Sequence, residues 1–197
     1  MIGKTNATAG AKIDISDLTA TAEDVTSGKI AYTIEGKVIG TNIDSTNYKA
    51  LLAGTMENFI APTDLKTIGA WCFRGVPLSS AYLSHGITNI NNGAFYAVAT
   101  LKDLFLPNTL SYIQPSTNPF SGCSGLRNVT FEDGFNCNNL NLSVSTNYSS
   151  DTILAMLEAL ADRTGKTTYT LTLGTTNLNK MAEEEIAVAT EKNWTLK

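Results

Sequence analysis

The side chains able to perform acid–base or nucleophilic chemistry are few in this sequence. His85 is the single histidine, and it lies in a Ser84-His85-Gly86 turn. An enzyme that cleaves or transfers a covalent group needs a nucleophile, a base and an orienting group within reach of one another. We interpret His85 as an exposed turn residue and predict that the chain has no catalytic site.

The acidic residues are equally unpromising as a catalytic or metal-binding group. Asp14 with Asp17, and Glu132 with Asp133, fall at apparent turns or ends, so we interpret both pairs as solvated surface acids. The run 183–185 is three glutamates at the start of a predicted helix, where the helix dipole favours negative charge. No glycine-rich loop that could hold a phosphate precedes a helix.

The three cysteines also argue against a metal, a cofactor or a disulfide framework. Cys72, Cys123 and Cys137 are odd in number and do not have metal-ligand spacing. We predict that they are reduced and mostly buried. Cys123 occupies the repeat position of Val76 and Val98, which indicates a side chain that points into the core.

Composition and charge exclude several classes of partner. Charged residues make up 16 % of the 197-residue chain and the formal net charge is -4. There is no basic cluster for nucleic acid or an anionic membrane surface. No segment reaches the roughly 18 apolar residues of a membrane span, and the N-terminus lacks the apolar core of a signal peptide. The sequence therefore predicts a protein that folds in the cytosol and binds neither nucleic acid nor membrane.

Internal repeats dominate the segment from about 57 to 135. Three units share apolar residues at identical offsets of three, five and nine positions from the first member. A half-unit around Phe59 precedes them, and the period is 22 or 23 residues, stretched to 25 by an insertion near Ser116 and Thr117. The three sets are Leu78, Ala81, Leu83 and Ile87; Leu101, Leu104, Leu106 and Leu110; and Leu126, Val129, Phe131 and Phe135.

The spacing predicts short strands that stack from one unit to the next. Residues two apart, such as Leu104 and Leu106, lie on the same face of a strand. A Pro-Asn or His-Gly step turns the chain after each strand, and no single unit can bury its apolar face alone. We predict an α+β fold: a short leucine-rich-repeat β-solenoid of three to four units of 22–25 residues.

The two ends of the chain predict different modules. Ser149 caps a helix predicted to run to about Arg163, the segment 169–173 alternates as a strand, and a second helix is predicted over 180–192 with Asn179 as its cap. In the N-terminal part, Glu35-Gly36 separates two strand-like segments as in a hairpin. We predict three domains: an N-terminal docking or oligomerisation module (1–45), the repeat solenoid (46–145) and a helical C-terminal cap (146–197).

The row of residues that faces outward from the repeat strands is the candidate binding surface. One position after each inward anchor come Ile60, Tyr82, Phe105 and Thr130, a ladder with two aromatic rings. A polar row that includes Asp103 and Asn128 runs beside it. Exposed aromatic side chains flanked by polar groups suit a sugar face or a protein patch. The alternative is that these side chains reflect only the strand preference for aromatics, or are covered by the N-terminal module.

The units resemble bacterial leucine-rich repeats of the surface-antigen, or BspA-like, type. The resemblance is carried by Ile68-Gly69, Gly93-Ala94-Phe95, Leu101 and Leu104-Phe105-Leu106-Pro107. The third unit departs from the pattern, with Asn118-Pro119-Phe120 in place of the Ala-Phe step. This resemblance implies a stacked repeat fold.

The end modules are similar to segments of phage and prophage structural proteins. The C-terminal stretches 171–178 and 189–196 look like the ending of such repeats in these proteins, and the stretch 19–41 is similar to a module of tail and fibre proteins. The resemblance implies a virion component assembled in the host cytoplasm. It would form a homo-oligomer and dock on other virion proteins through residues 1–45, and its repeats would meet a host protein or glycan. The alternative is a bacterial cell-surface adhesin or protein-interaction module, located on the cell surface or outside the cell.

Overall fold

A computed structural model describes residues 30–33, 36–39, 50 and 53–197 of the chain. The strands are β1 (Ile30–Thr33), β2 (Gly36–Ile39), β3 (Asn58–Ile60), β4 (Thr67–Ile68), β5 (Ser80–Tyr82), β6 (Asn89–Ile90), β7 (Asp103–Leu106), β8 (Tyr112–Ile113), β9 (Asn128–Phe131), β10 (Leu140–Asn141), β11 (Tyr169–Thr172) and β12 (Trp194–Leu196). The helices are α1 (Ser150–Glu158), α2 (Thr175–Leu178) and α3 (Glu183–Glu191).

The repeat units stack through two parallel sheets. One sheet has the order β3-β5-β7-β9, and the other has the order β4-β6-β8. Phe59 pairs with Ala81, Ala81 with Leu104, and Leu104 with Val129, so equivalent positions of successive units lie side by side. Residues at the same predicted offset in successive units are therefore the residues that pair across the sheet.

Alternation along each strand separates the core from the surface. In β7 and β9 the burial alternates strictly, with Leu104, Leu106, Val129 and Phe131 pointing inward. Their neighbours along each strand point outward because successive side chains of a strand lie on opposite faces. The same inward positions in β3 and β5 are buried, so one continuous core runs through the units.

Phenylalanine rings form a second line of contact through the core. Phe73 stacks on Phe95 at a centroid distance of 5.0 Å, and Phe95 stacks on Phe120 at 5.5 Å. Phe120 is fully buried. Phe120 of the Asn118-Pro119-Phe120 segment therefore lies in the same column as Phe73 and Phe95, although a different residue type precedes each of the three rings.

Hydroxyl groups join each unit to its neighbour near the turns. Thr88 Oγ1 donates to the carbonyl of Lys66 at 3.1 Å, Thr100 Oγ1 to that of Leu78 at 2.8 Å, and Thr109 Oγ1 to that of Ile87 at 2.8 Å. Each bond spans 22 residues. Thr100 and Thr109 thus satisfy carbonyls that lie outside the short strands, whereas the Lys66 carbonyl also accepts from the backbone.

The first C-terminal helix ends earlier than the sequence predicts. Ser149 caps α1 as expected, with its Oγ accepting from the Thr152 N–H at 3.1 Å. The helix stops at Glu158 and not near Arg163. The following backbone instead bonds to Phe135, whose N–H donates to the carbonyl of Ala159 at 3.0 Å, and this pairing excludes further helical turns.

The second predicted helix, 180–192, begins at Glu183 in the structure, and a short helix that the sequence did not predict precedes it. Asn179, predicted as an N-cap, instead ends the short helix α2, and α3 begins at Glu183 after Ala182. Glu185 accepts a hydrogen bond from the Ala182 N–H at 2.8 Å. Lys192, just after α3, donates through Nζ to the carbonyls of Leu157 and Glu158 at the end of α1. The helices α1 and α3 pack together, and β10, β11 and β12 form a third parallel sheet.

Arg163 is buried in the C-terminal part without a carboxylate within salt-bridge distance among the described residues. Its Nη1 donates to Asn136 Oδ1 at 2.6 Å, and its Nε and Nη2 donate to the carbonyl of Thr167. The guanidinium also lies 3.3 Å from the ring centroid of Tyr169. These hydrogen bonds and the cation–π contact compensate for the hydration that the guanidinium loses on burial. A lysine could not make the same set of contacts, because its ammonium lacks the planar array of donors.

The N-terminal part contributes one antiparallel strand pair. β1 pairs with β2, with Ile30 opposite Ile39 and Thr33 opposite Gly36. Gly36 therefore belongs to β2 and not to the predicted two-residue turn Glu35-Gly36, the other residue of which lies outside the described residues. The rest of the predicted N-terminal module lies outside the described residues.

Leu104 is the buried centre of the four-stranded sheet, with 2 % exposure. We expect Leu104→Ala to lower the free energy of unfolding by about 2–5 kcal/mol, because neighbouring units cannot collapse into the cavity. Urea denaturation followed by circular dichroism measures the change. Arg127→Ala, an exposed side chain just before β9, is the control and should stay within about 0.5 kcal/mol of the parent protein. Equal effects of the two substitutions would contradict the assigned core.

Candidate functional site

The outward face of the four-stranded sheet carries the predicted binding residues in two in-register rows. The outer row consists of Ile60, Tyr82, Phe105 and Thr130, which pair successively across the strands. The polar row consists of Asn58, Ser80, Asp103 and Asn128, also in register. All six predicted site residues therefore lie on one surface, which we call the strand face. The strands place them there because their inward neighbours fill the core.

The outer row is apolar at one end and polar at the other. Ile60 is 71 % exposed and Tyr82 is 46 % exposed, while Phe105 is half-buried. The rings of Tyr82 and Phe105 are stacked, with centroids 4.3 Å apart and an interplanar angle of 11°. Phe105 is thus less exposed than the sequence predicts, because Tyr82 covers one of its faces. Thr130 ends the row with a short, exposed side chain.

The polar row consists of two hydrogen-bonded pairs. Ser80 Oγ donates to Asn58 Oδ1 at 2.7 Å, and Asn128 Nδ2 donates to Asp103 Oδ1 at 2.5 Å. Asp103 keeps its second carboxylate oxygen, and Asn128 keeps its amide oxygen, without a hydrogen bond to a described residue. A carboxylate with an adjacent amide offers acceptors and a donor to hydroxyl or amide groups of a ligand.

A second polar cluster lies at the turns that follow the strands, and the sequence did not predict it. The Glu132 carboxylate accepts from the Asn108 N–H at 2.9 Å and lies 3.0 Å from His85 Nδ1. The hydrogen bond from His85 and that from the Asn108 N–H lower the pKa of Glu132 below its usual value of 4.5. Glu132 therefore links turns from three units and is not simply a solvated surface acid. Its partner is 47 residues away, so only the 22–25-residue period could have suggested the contact.

An aromatic cluster lies on another side of the stack. Trp71 is 44 % exposed, contacts Tyr96 edge to face at 5.5 Å, and has a left-handed backbone with φ of +60°. The Arg74 guanidinium lies 5.6 Å from the Trp71 ring centroid and 5.7 Å from that of Tyr96. Gly93, the equivalent of Trp71 in the next unit, leaves the space that the indole ring occupies, since a Cβ there would lie 2.3 Å from Trp71 Cζ3.

The thiols do not form a reactive or metal-binding group. Burial raises the pKa of the Cys72, Cys123 and Cys137 thiols to about 12, so they are protonated at neutral pH. Cys123 is fully buried, and the equivalent residues Val76 and Val98 are also buried. The predicted core position of Cys123 is therefore confirmed. Among the described residues, no group of three or more histidine, cysteine, aspartate or glutamate side chains could hold a metal ion.

Comparison with known families identifies the repeats. The family described as BspA type Leucine rich repeat region matches residues 41–158, in six copies. This match covers more than half of the chain, and the protein therefore belongs to the BspA type leucine-rich-repeat family. The match begins before the predicted repeats and extends through α1. Neither the curated proteins nor the solved structures include a match to this chain.

The family assignment supports a role for the repeats in protein interaction or surface binding. In the described part of the chain, no helix has the length and apolarity needed to cross a membrane.

Glu132 makes a pH-dependent contribution to stability. Because its folded-state pKa is lowered, the contribution is present above the usual value of 4.5 and is lost as the pH falls through the folded-state pKa. We expect Glu132→Gln to lower the free energy of unfolding by about 0.2–1 kcal/mol at pH 6.5, as for other surface pairs. The difference from the parent protein should shrink as the pH falls from 6.5 through the folded-state pKa of Glu132. Asp133→Asn is the matched control, because that carboxylate accepts no hydrogen bond from a described residue, and its effect on the free energy of unfolding at pH 6.5 should be smaller.

Substitution of Gly93 tests whether the Trp71 ring occupies the space beside this glycine. Gly93→Ala adds a Cβ where the Trp71 ring lies, whereas Gly134→Ala adds one at a similar backbone angle (φ +78°) with nothing within 4 Å. We expect both to cost about 1 kcal/mol for the left-handed conformation, and Gly93→Ala to cost about 1 kcal/mol more from the clash. Chemical denaturation and tryptophan fluorescence measure the two effects. In a Trp71→Ala background the excess should disappear; an excess that persists there would mean that the ring does not occupy this space.

Proposed function

We propose that this protein is a non-enzymatic phage or prophage virion component that presents the strand face to a host protein or glycan. The single observation that carries the proposal is the in-register outer row, in which an exposed Tyr82 ring stacks on a half-buried Phe105 ring. A soluble protein seldom maintains an aligned exposed apolar row without a partner for it.

The composition of the strand face supports a contact surface. Tyr82 and Phe105 supply rigid contact area at low cost in side-chain entropy, and the Asp103–Asn128 pair supplies polar groups beside them. Aromatic residues are enriched at the centre of protein interfaces, with polar groups around them. Sheet strands hold these side chains more firmly than loops would.

The proposed architecture is a short solenoid closed by a C-terminal helical cap. Parallel in-register pairing of equivalent positions supports the solenoid. Packing of α1 against β9 and against α3 supports the cap. A repeat array needs a terminal element with a polar outer face because its last unit would otherwise expose apolar core.

The virion assignment is supported by the resemblance of both ends of the chain to segments of phage structural proteins. In this proposal residues 1–45 dock on other virion proteins and self-associate, and the repeats project outward. The N-terminal segment has few apolar residues for a core of its own, which favours stabilisation by a partner.

Several contacts support a non-enzymatic role. His85 and Glu132 bond to each other at the rim of the stack, and the cysteine thiols have raised pKa values. None of these groups is therefore arranged as a nucleophile with its base.

A bacterial cell-surface adhesin is the second candidate function. The family match over residues 41–158 favours it, because that match suggests surface or protein binding in general and is silent on virions. The two candidates share the strand face and differ in where the protein is found.

The strand face can be tested by removing its rings. We expect Tyr82→Ala with Phe105→Ala to reduce adsorption of the purified protein to host cells at least tenfold, since central aromatic contacts carry most of an interface's energy. Tyr112→Ala is the matched control, because Tyr112 lies on the other sheet with 49 % exposure, against 46 % for Tyr82. Circular dichroism should show the same fold in all variants. Equal adsorption of the double variant and the parent would contradict the proposal.

The virion assignment can be tested on particles. We expect mass spectrometry of gradient-purified particles from a lysogen or phage encoding this chain to detect it at a constant ratio to the major structural proteins. Deletion of residues 1–45 should remove the chain from particles while leaving it in the lysate. Absence of the full-length chain from particles, with presence on growing cells, would instead establish the adhesin alternative.

A further inference from the structure

We propose that the strand face binds one pyranose ring of a neutral saccharide on a shelf formed by Phe105 and Thr130, with Asp103 and Asn128 holding its hydroxyl groups. This inference rests on the proposed function and narrows it to a ligand class. Four side chains in two in-register pairs carry it: Phe105 beside Thr130, and Asp103 beside Asn128.

The stacked rings leave one aromatic face open. Tyr82 lies against one face of Phe105, with only 11° between the ring planes. The residue on the other side of Tyr82 is Ile60, a branched aliphatic side chain in register with it. The residue on the other side of Phe105 is Thr130, whose side chain is much shorter than an aromatic ring. Within the row, only the short Thr130 side chain therefore lies beside the second face of Phe105.

An open aromatic face beside a short hydroxyl side chain suits a sugar ring. One side of a pyranose carries a patch of C–H groups that packs on the negative face of an aromatic ring. Thr130 ends the row, so a ligand ring can occupy the place that a fourth large side chain would take in the stack. Thr130 also offers a hydroxyl that can donate or accept.

The polar pair lies at the right distance for hydroxyl recognition. Asp103 and Phe105 are two residues apart on one strand, as are Asn128 and Thr130, which separates the pairs by about 6.6 Å. Asn128 Nδ2 donates to Asp103 Oδ1 at 2.5 Å, and this bond fixes both side chains. The second Asp103 oxygen and the Asn128 amide oxygen then accept from ligand hydroxyls, while the remaining Asn128 N–H donates.

The charge of the strand face selects a neutral ligand. Asp103 is the only charged side chain in the two rows, and neither row contains lysine or arginine. Within the two rows an anionic sugar would meet only the Asp103 carboxylate, which disfavours its binding, although Lys102 and Arg127 are exposed just before the two strands.

The test is a titration of the full-length, ¹⁵N-labelled protein with methyl β-glucopyranoside, methyl β-galactopyranoside and N-acetylglucosamine, followed by amide chemical shifts. A ligand of this size on an open shelf binds with a Kd in the millimolar range. We expect at least one of the three to shift amides of 103–106 and 128–131 selectively. Asp103→Asn should weaken that binding about tenfold, as for loss of a charged acceptor.

Thr130 provides a matched pair of variants. Thr130→Ile fills the shelf and should weaken binding at least about tenfold, whereas Thr130→Val removes only the hydroxyl and should weaken it about threefold or less. Both substitutes are β-branched and suit a strand, so the fold is preserved.

Two results would overturn the inference: no selective shift with any of the three pyranosides, or equal binding by Thr130→Ile and the parent. If these occur while the Tyr82 and Phe105 double variant still loses adsorption to cells, the saccharide class is wrong and the strand face remains a contact surface for another ligand. If the double variant adsorbs normally, the proposed function itself fails.

Discussion

The structure depends on one constraint: equivalent positions of successive units must lie opposite one another. Parallel pairing of Phe59, Ala81, Leu104 and Val129 sets this register in one sheet, and the phenylalanine column sets it again within the core. A slip of one residue would turn every inward side chain of a strand outward. The core, the turns and the strand face therefore share a single register, which decides which residues lie side by side in each outward-facing row.

The parts that the sequence predicts well are those that repeat. The offsets of Leu101, Leu104, Leu106 and Leu110 within a unit predicted which side chains are buried and which strands pair, because a stack needs the same apolar positions in every turn. The strand-face residues followed from the same alternation. Their rings were harder to place, since mutual stacking of Tyr82 and Phe105 depends on side-chain rotation and not on spacing.

The parts that the sequence predicts poorly depend on contacts between distant segments. The end of α1 is set by Phe135 and by Lys192, neither of which belongs to the helix. The residue pattern up to Arg163 is typical of a helix. In the structure, however, the Arg163 guanidinium donates to Asn136 and to the carbonyl of Thr167, beyond the end of α1. The position of Glu132 at an apparent turn predicts a solvated acid, whereas in the structure it contacts His85 and Asn108, which belong to other units.

The threonine bonds between units have a consequence for folding. Thr88, Thr100 and Thr109 each reach a carbonyl 22 residues earlier, and strand pairs span a similar separation. Nearly every non-local contact in the repeats thus closes a loop of one size, with similar entropy lost at each closure. Two adjacent units that have paired expose backbone carbonyls and aromatic ring faces on which the next unit can pack. Folding can therefore propagate in both directions from any such pair of units. We therefore expect the repeats to order as a one-dimensional array, with the first pair of units as the slow step.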